Sequence, residues 1–95
     1  ALLKWVGANS YRTSHYPYSE EAMQLADRLG VLVINEIPAV GLNFEDSEEA
    51  TAARLVQCQQ QIRELIARDK NHPSTIMWCV ANEPTGGPLY FTRIA

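Results

Sequence analysis

Asp69-Lys70-Asn71-His72-Pro73-Ser74-Thr75-Ile76-Met77-Trp78-Cys79-Val80-Ala81-Asn82-Glu83-Pro84 reads as a helix end, a turn, a strand and a polar strand terminus in succession. Pro73 has no backbone N–H with which to continue a helix, and it drives His72 out of the α region. Residues 75–81 are apolar, β-branched and aromatic, which predicts a strand buried on both faces. Asn82 and Glu83 then set an amide and a carboxylate at the strand's C-terminal end. In parallel βα architectures the chemistry gathers at that end. Glu83 is therefore the candidate catalytic residue. His72, at the opposite end of the same strand, reads as structural, and Trp78 as core.

Working back toward the N-terminus, residues 48–69 read as a long helix. Ser47 supplies a capping hydroxyl, and Glu48 and Glu49 suit the positive end of the helix dipole. Leu55, Cys58, Ile62, Leu65 and Ile66 form one stripe, with the Gln, Arg and Glu side chains mostly elsewhere. Residues 37–46 are a loop holding Pro38 and Gly41. Val31-Leu32-Val33-Ile34 predicts a second buried strand, closed by Asn35-Glu36. Before it, Ser19-Glu20-Glu21 starts a helix whose face is Ala22, Leu25, Ala26 and Leu29, and Gly30 stops it. Residues 8–13 are a short strand, 14–18 a loop, and Leu2 to Val6 a helix end broken by Gly7, with Trp5 as a packing residue. After Pro84 a Gly-rich loop leads to a helix starting near Leu89.

Strand and helix therefore alternate, which predicts an α/β fold with a parallel sheet. The chain has 95 residues, is 46% hydrophobic and carries a net charge of -3, an ordinary globular balance. No basic patch points to nucleic acid, and no apolar run approaches the ~20 residues that span a bilayer. The N-terminus is unlike a signal peptide. Both termini read as cut rather than natural, so an internal piece of a larger domain is expected. Cys58 and Cys79 lack metal or redox spacing and read as small hydrophobes, which fits a reducing compartment. Neither GxGxxG nor a P-loop is present, and no cofactor or metal is expected.

Each strand ends in polar groups: Arg12 and His15, then Asn35 and Glu36, then Asn82 and Glu83. In a parallel sheet these ends share one side, gathering a cation, an imidazole, amides and carboxylates. That set suits acid/base work on a polyhydroxylated substrate, because burial can raise a carboxyl's pKa until it donates a proton. Asn82 can bind a sugar hydroxyl. Arg12 can orient substrate or hold a carboxylate in an ion pair. His15 can serve the site or be a satisfied loop histidine. Tyr11, Tyr16 and Tyr18 can line a sugar pocket or form wall. From the residues alone, a non-catalytic binding module stays open.

Asn9-Ser10-Tyr11-Arg12-Thr13-Ser14-His15-Tyr16-Pro17, followed by Asp27, Gly30 and four aliphatics, resembles the first signature of the glycoside hydrolase family 2 barrel. Residues 69–74 with Trp78 and Asn82-Glu83 resemble the second. The wording, with Pro38-Ala39-Val40-Gly41-Leu42 and Ala81-Asn82-Glu83-Pro84, is nearest the β-glucuronidase branch. Galactosidase or mannosidase specificity is the alternative within the family. Ala22, Thr75, Cys79 and Asn35 depart from the usual pattern. Asn35 stands where an aspartate is common, and it is expected to remove a charge from the site.

The resemblance implies that residues 1–95 are about three βα units of a (β/α)8 TIM barrel, roughly strands 2 to 4. It implies a retaining glycosidase acting on a small-molecule β-glucuronide. Glu83 would be general acid and then general base, Asn82 would bind the hydroxyl beside the anomeric carbon, and Arg12 and His15 would shape the sugar pocket. The nucleophile, a carboxylate roughly 5–5.5 Å away in retaining enzymes, is expected beyond residue 95. Glu36 sits on the wrong strand for that role and fits a supporting hydrogen-bonding one better. A homo-oligomeric, cytoplasmic full-length protein without nucleic-acid or membrane partners completes the expectation.

Overall fold

Capping chemistry sets the two main helices. The computed structural model describes residues 2–45, 47–86 and 93–94. Helix α1 (Leu2–Trp5) is followed by β1 (Ser10–Arg12), α2 (Glu20–Leu29), β2 (Leu32–Glu36), α3 (Glu48–Asp69) and β3 (Thr75–Cys79). Ser19 Oγ accepts the Ala22 N–H, and Ser47 Oγ accepts the Ala50 N–H, so each serine satisfies an orphan donor of the first turn. Gly30 ends α2 in the left-handed region at φ 67°, where a Cβ is costly. The helix expected near Leu89 lies outside the described residues.

The three strands form one parallel sheet in the order β1-β2-β3. Sequence order without a reversal is the winding of a barrel; a doubly wound sheet has a switch point. Ser10, Tyr11 and Arg12 register with Leu32, Val33 and Ile34, and Ile34, Asn35 and Glu36 register with Met77, Trp78 and Cys79. A shift between Val33 and Ile34 leaves Ile76 as an extra residue on β3.

Both long helices cover one face of this sheet. Val33 is fully buried with Met23 and Ala26 of α2, while Asn35, on the same face, bonds Asp69 at the end of α3. The larger core lies under α3. Leu55, Cys58, Ile62 and Leu65 meet Ile37, Ala39 and Phe44, with Trp78, Val80 and Ala81 against them. The stripe read from the α3 sequence is the buried one.

Three expectations are corrected. On α2 the fully buried residue is Met23, while Leu25 and Leu29 are partly exposed. They line, with Leu2, Leu3 and Tyr11, an apolar groove of about 320 Å³ facing α1. Strand β3 is not buried on both faces: Ile76 and Met77 are 51% and 57% exposed. It is an edge strand of this sheet; Met77, registered with Ile34, stands on the face the helices leave open, and Ile76 is the extra residue at the register shift. Trp5 does not pack; it is 83% exposed on a helix of 4 residues that buries none of them.

Candidate active site

Arg12 ends β1 and Glu36 ends β2. Arg12 registers with Ile34, and side chains two apart share a face, so Arg12 and Glu36 stand on the sheet face that the helices leave open. Arg12 Nε donates to Glu36 Oε2, and Arg12 Nη2 lies 3.4 Å from Oε1. His15 Nδ1 reaches the same Oε1 at 3.1 Å. The Glu36 side chain is fully buried. Its backbone N–H donates to the buried Thr13 hydroxyl at 2.9 Å, and the Thr13 N–H donates to the Ile34 carbonyl, so the carboxylate is held from its root.

Asn82 arrives from the third strand. Beyond β3 the chain runs beside the loop that follows β2. The Asn82 N–H donates to the Ala39 carbonyl, and the Gly41 N–H donates to the Asn82 carbonyl, both at 2.8 Å. Leu42, Phe44 and Thr85 continue this pairing. The clamped backbone presents Asn82 Oδ1 to Arg12 Nη2 at 2.6 Å. Arginine only donates, so the amide oxygen faces it and the Asn82 NH₂ is turned the other way.

One guanidinium thus joins the ends of all three strands. Nη2 carries two protons, which Asn82 Oδ1 and Glu36 Oε1 account for. His15 Nδ1 lies 3.1 Å from Nη2 as well, but Nη2 only donates and the carboxylate only accepts, so the bond from Nδ1 goes to Glu36. Burial pushes the Glu36 carboxyl up, but the hydrogen bonds from Arg12 and His15 outweigh it and hold the group below the usual carboxylate range. The bond to Glu36 raises Arg12 in turn.

Glu83 follows Asn82 directly and is exposed, with φ at 46°. A non-glycine residue in that region is uncommon, and such conformations cluster at functional sites. Among the described residues its side chain has no hydrogen bond.

Of the residues singled out from the sequence, Arg12, His15 and Asn82 come together around Glu36, and Glu83 flanks them. Asn35 does not belong there. Adjacent strand residues point to opposite faces, so Asn35 turns into the helix layer while Glu36 turns to the site. Asn35 is fully buried and donates Nδ2 to Asp69 Oδ2 at 2.7 Å. Arg68 grips the same carboxylate at 2.8 and 2.7 Å and reaches the Tyr18 carbonyl. The departure at this position alters a structural network and leaves the site's charge untouched. Thr13 stands in the first signature without a role of its own; its pairing with β2 reveals one.

Tyr11 and Tyr18 form wall, while Tyr16 stands exposed with its ring 5.3 Å from that of Tyr18. Tyr11 packs on the α2 side, and Tyr18 stacks on it at 6.0 Å. His72 is structural: Nδ1 pairs with Asp27 at 2.5 Å, and the same carboxylate accepts the Ser74 N–H at 3.0 Å. Burial raises the Asp27 carboxyl, but these bonds bring it below its usual range. The pair ties the end of α2 to the turn before β3, far from Glu83 along the strand. Among the described residues no His, Cys, Asp and Glu group is placed to hold a metal ion, and no helix is long and apolar enough to cross a membrane.

Residues 1–94 match the family described as "Glycosyl hydrolases family 2, TIM barrel domain". The chain belongs to glycosyl hydrolase family 2. Its three parallel strands and covering helices are thus part of a family 2 barrel domain. It is similar to a protein named Beta-glucuronidase from Streptococcus agalactiae, 60% identical, covering 87% of this chain and 16% of that protein. A Beta-glucuronidase from Canis lupus familiaris is 55% identical over 88% of this chain and 13% of its own length. The chain therefore spans about one sixth or less of these curated relatives. Among solved structures, a beta-D-glucuronidase of Dictyoglomus thermophilum superposes with TM-score 0.88 at 54% identity, covering 98% of this chain and 18% of that one. A Ruminococcus gnavus b-glucuronidase in complex with C6-substituted uronic isofagomine superposes with TM-score 0.90 at 45% identity, covering 97% and 16%.

Proposed function

We propose that this chain supplies three βα units, strands 2 to 4, of the barrel of a retaining β-glucuronidase. Glu83 donates a proton to the leaving glycosidic oxygen and then takes one from the attacking water. Asn82 binds the hydroxyl beside the anomeric carbon through its NH₂. His15 accepts from a sugar hydroxyl through Nε2. The nucleophilic carboxylate stands on a later strand outside these 95 residues, at the roughly 5–5.5 Å spacing that retention requires. Glu36 is unsuited to that role, because its carboxylate is buried and engaged by Arg12 and His15.

The observation that carries this reading is the joining of all three strand ends through Arg12, beside an exposed Glu83 with a left-handed backbone. That arrangement orients the Asn82 amide and sets an exposed carboxyl next to it in the chain. Relatives at 52–60% identity named Beta-glucuronidase, and a structure with a uronic sugar analogue, support the glucuronide as substrate class. The test is turnover of a chromogenic β-glucuronide by the full-length protein, beside the matched β-galactoside. Preferential glucuronide hydrolysis is expected. Preference for the galactoside would keep the barrel and overturn the specificity.

A further inference from the structure

Glu36 is a fully buried carboxylate that, among the described residues, bonds Arg12 and His15 and makes no bond to Glu83. Resting on the glucuronidase reading above, we propose that Glu36 is the positioning residue of the site, acting on substrate only through Arg12, Asn82 and His15. Its Oε2 engages Arg12 Nε, which settles the plane of the guanidinium. With that plane fixed, Nη2 meets Asn82 Oδ1 at 2.6 Å. The amide cannot flip without opposing two donors, so its NH₂ stays toward the hydroxyl beside the anomeric carbon. Oε1 lies 3.1 Å from His15 Nδ1, a contact that orients the imidazole and, in its neutral form, selects the tautomer with Nε2 as acceptor. Thr13 in turn fixes Glu36 by accepting its backbone N–H. One carboxylate thereby sets two substrate contacts that lie 67 residues apart in the chain (82 minus 15).

The alternative is an ion pair that merely holds the sheet together. The two differ in their dependence on substrate. If Glu36 acts through the Asn82 amide, its removal costs a substrate that offers the adjacent hydroxyl more than one that lacks it, which keeps only the loss through His15. A scaffold role costs both equally.

The experiment measures kcat/KM for the full-length protein and its Glu36→Gln variant on an aryl β-glucuronide and on the 2-deoxy analogue. Glutamine keeps the shape but sets an NH₂ against one of the donors. A loss of about 100-fold is expected on the glucuronide, the scale on which small misplacements act, with a several-fold smaller loss on the 2-deoxy substrate. Arg12→Lys, which keeps a charge beside Glu36 but cannot bridge to Asn82, is expected to give the same selective pattern, and it decides the matter if the Gln variant does not fold. Equal losses on both substrates overturn the positioning role and leave the glucuronidase reading standing. Absence of glucuronide turnover in the well-folded wild type overturns that reading, and the positioning role with it.

Discussion

Glu36 and Asn35 are neighbours in sequence with opposite fates, and each makes a distinct prediction. The Glu36 carboxyl titrates below its unfolded value of about 4.3 because Arg12 and His15 bind its charged form. A depressed folded pKa contributes stability that is complete above the unfolded value and is lost as pH falls through the folded one. The gap in melting temperature between wild type and Glu36→Gln is therefore expected to hold from neutral pH down to about 5 and to narrow below about 4.3. A gap that stays constant into strong acid would contradict the charge-assisted bonding. Asn35→Asp reverses the sign. A carboxylate there faces Asp69, which Arg68 already neutralises, so the new group's pKa rises. The variant is expected to approach wild-type stability in acid and to lose about 1–3 kcal/mol as pH rises toward 7, the scale of an unmade buried hydrogen bond. Thermal melts across pH measure both.

At the scale of elements, the glycines separate backbone cost from crowding. A Cβ on Gly30 would meet nothing within 4 Å, so Gly30→Ala is expected to lose only the cost of a left-handed alanine, roughly 1–2 kcal/mol. Gly86 also has a positive φ, but its Cβ would sit 2.6 Å from Phe44 Cβ in the main core. Gly86→Ala is expected to cost more, adding the ~1–3 kcal/mol of overpacking. Denaturant unfolding of the two variants compares them directly. The helix caps were legible because Ser19 and Ser47 advertise themselves chemically, each followed by two acids. The α3 stripe was legible because a 22-residue helix samples its period many times over. Helix α2, with 10 residues, left room to miss Met23. The face of Asn35 followed from strand alternation, but its polarity beside Glu36 suggested a shared site. The exposure of Ile76 and Met77 has no local signature at all, since whether a strand is central or at an edge is decided by what lies beside it.

For the whole molecule, the open sheet face and its edges matter most. Leu2, Trp5, Val6, Ile76 and Met77 are all more than half exposed, and β1 and β3 are both edges of the sheet. Unpaired edges beside apolar surface favour association. The isolated 95-residue chain is expected to self-associate on size-exclusion chromatography with light scattering and to hydrolyse no glucuronide; a monodisperse, active monomer would refute this. In the full-length protein the central claim is that Glu83 is the acid/base. The direct measurement is kcat/KM for wild type and Glu83→Gln on two β-glucuronides, one with a nitrophenol leaving group and one with an alkyl alcohol. A general acid matters most where the leaving group is poor. The account predicts a loss in the range of about 100- to 10,000-fold on the alkyl glucuronide, and a distinctly smaller loss on the nitrophenyl one. Equal losses on the two substrates, or no loss on either, would contradict it.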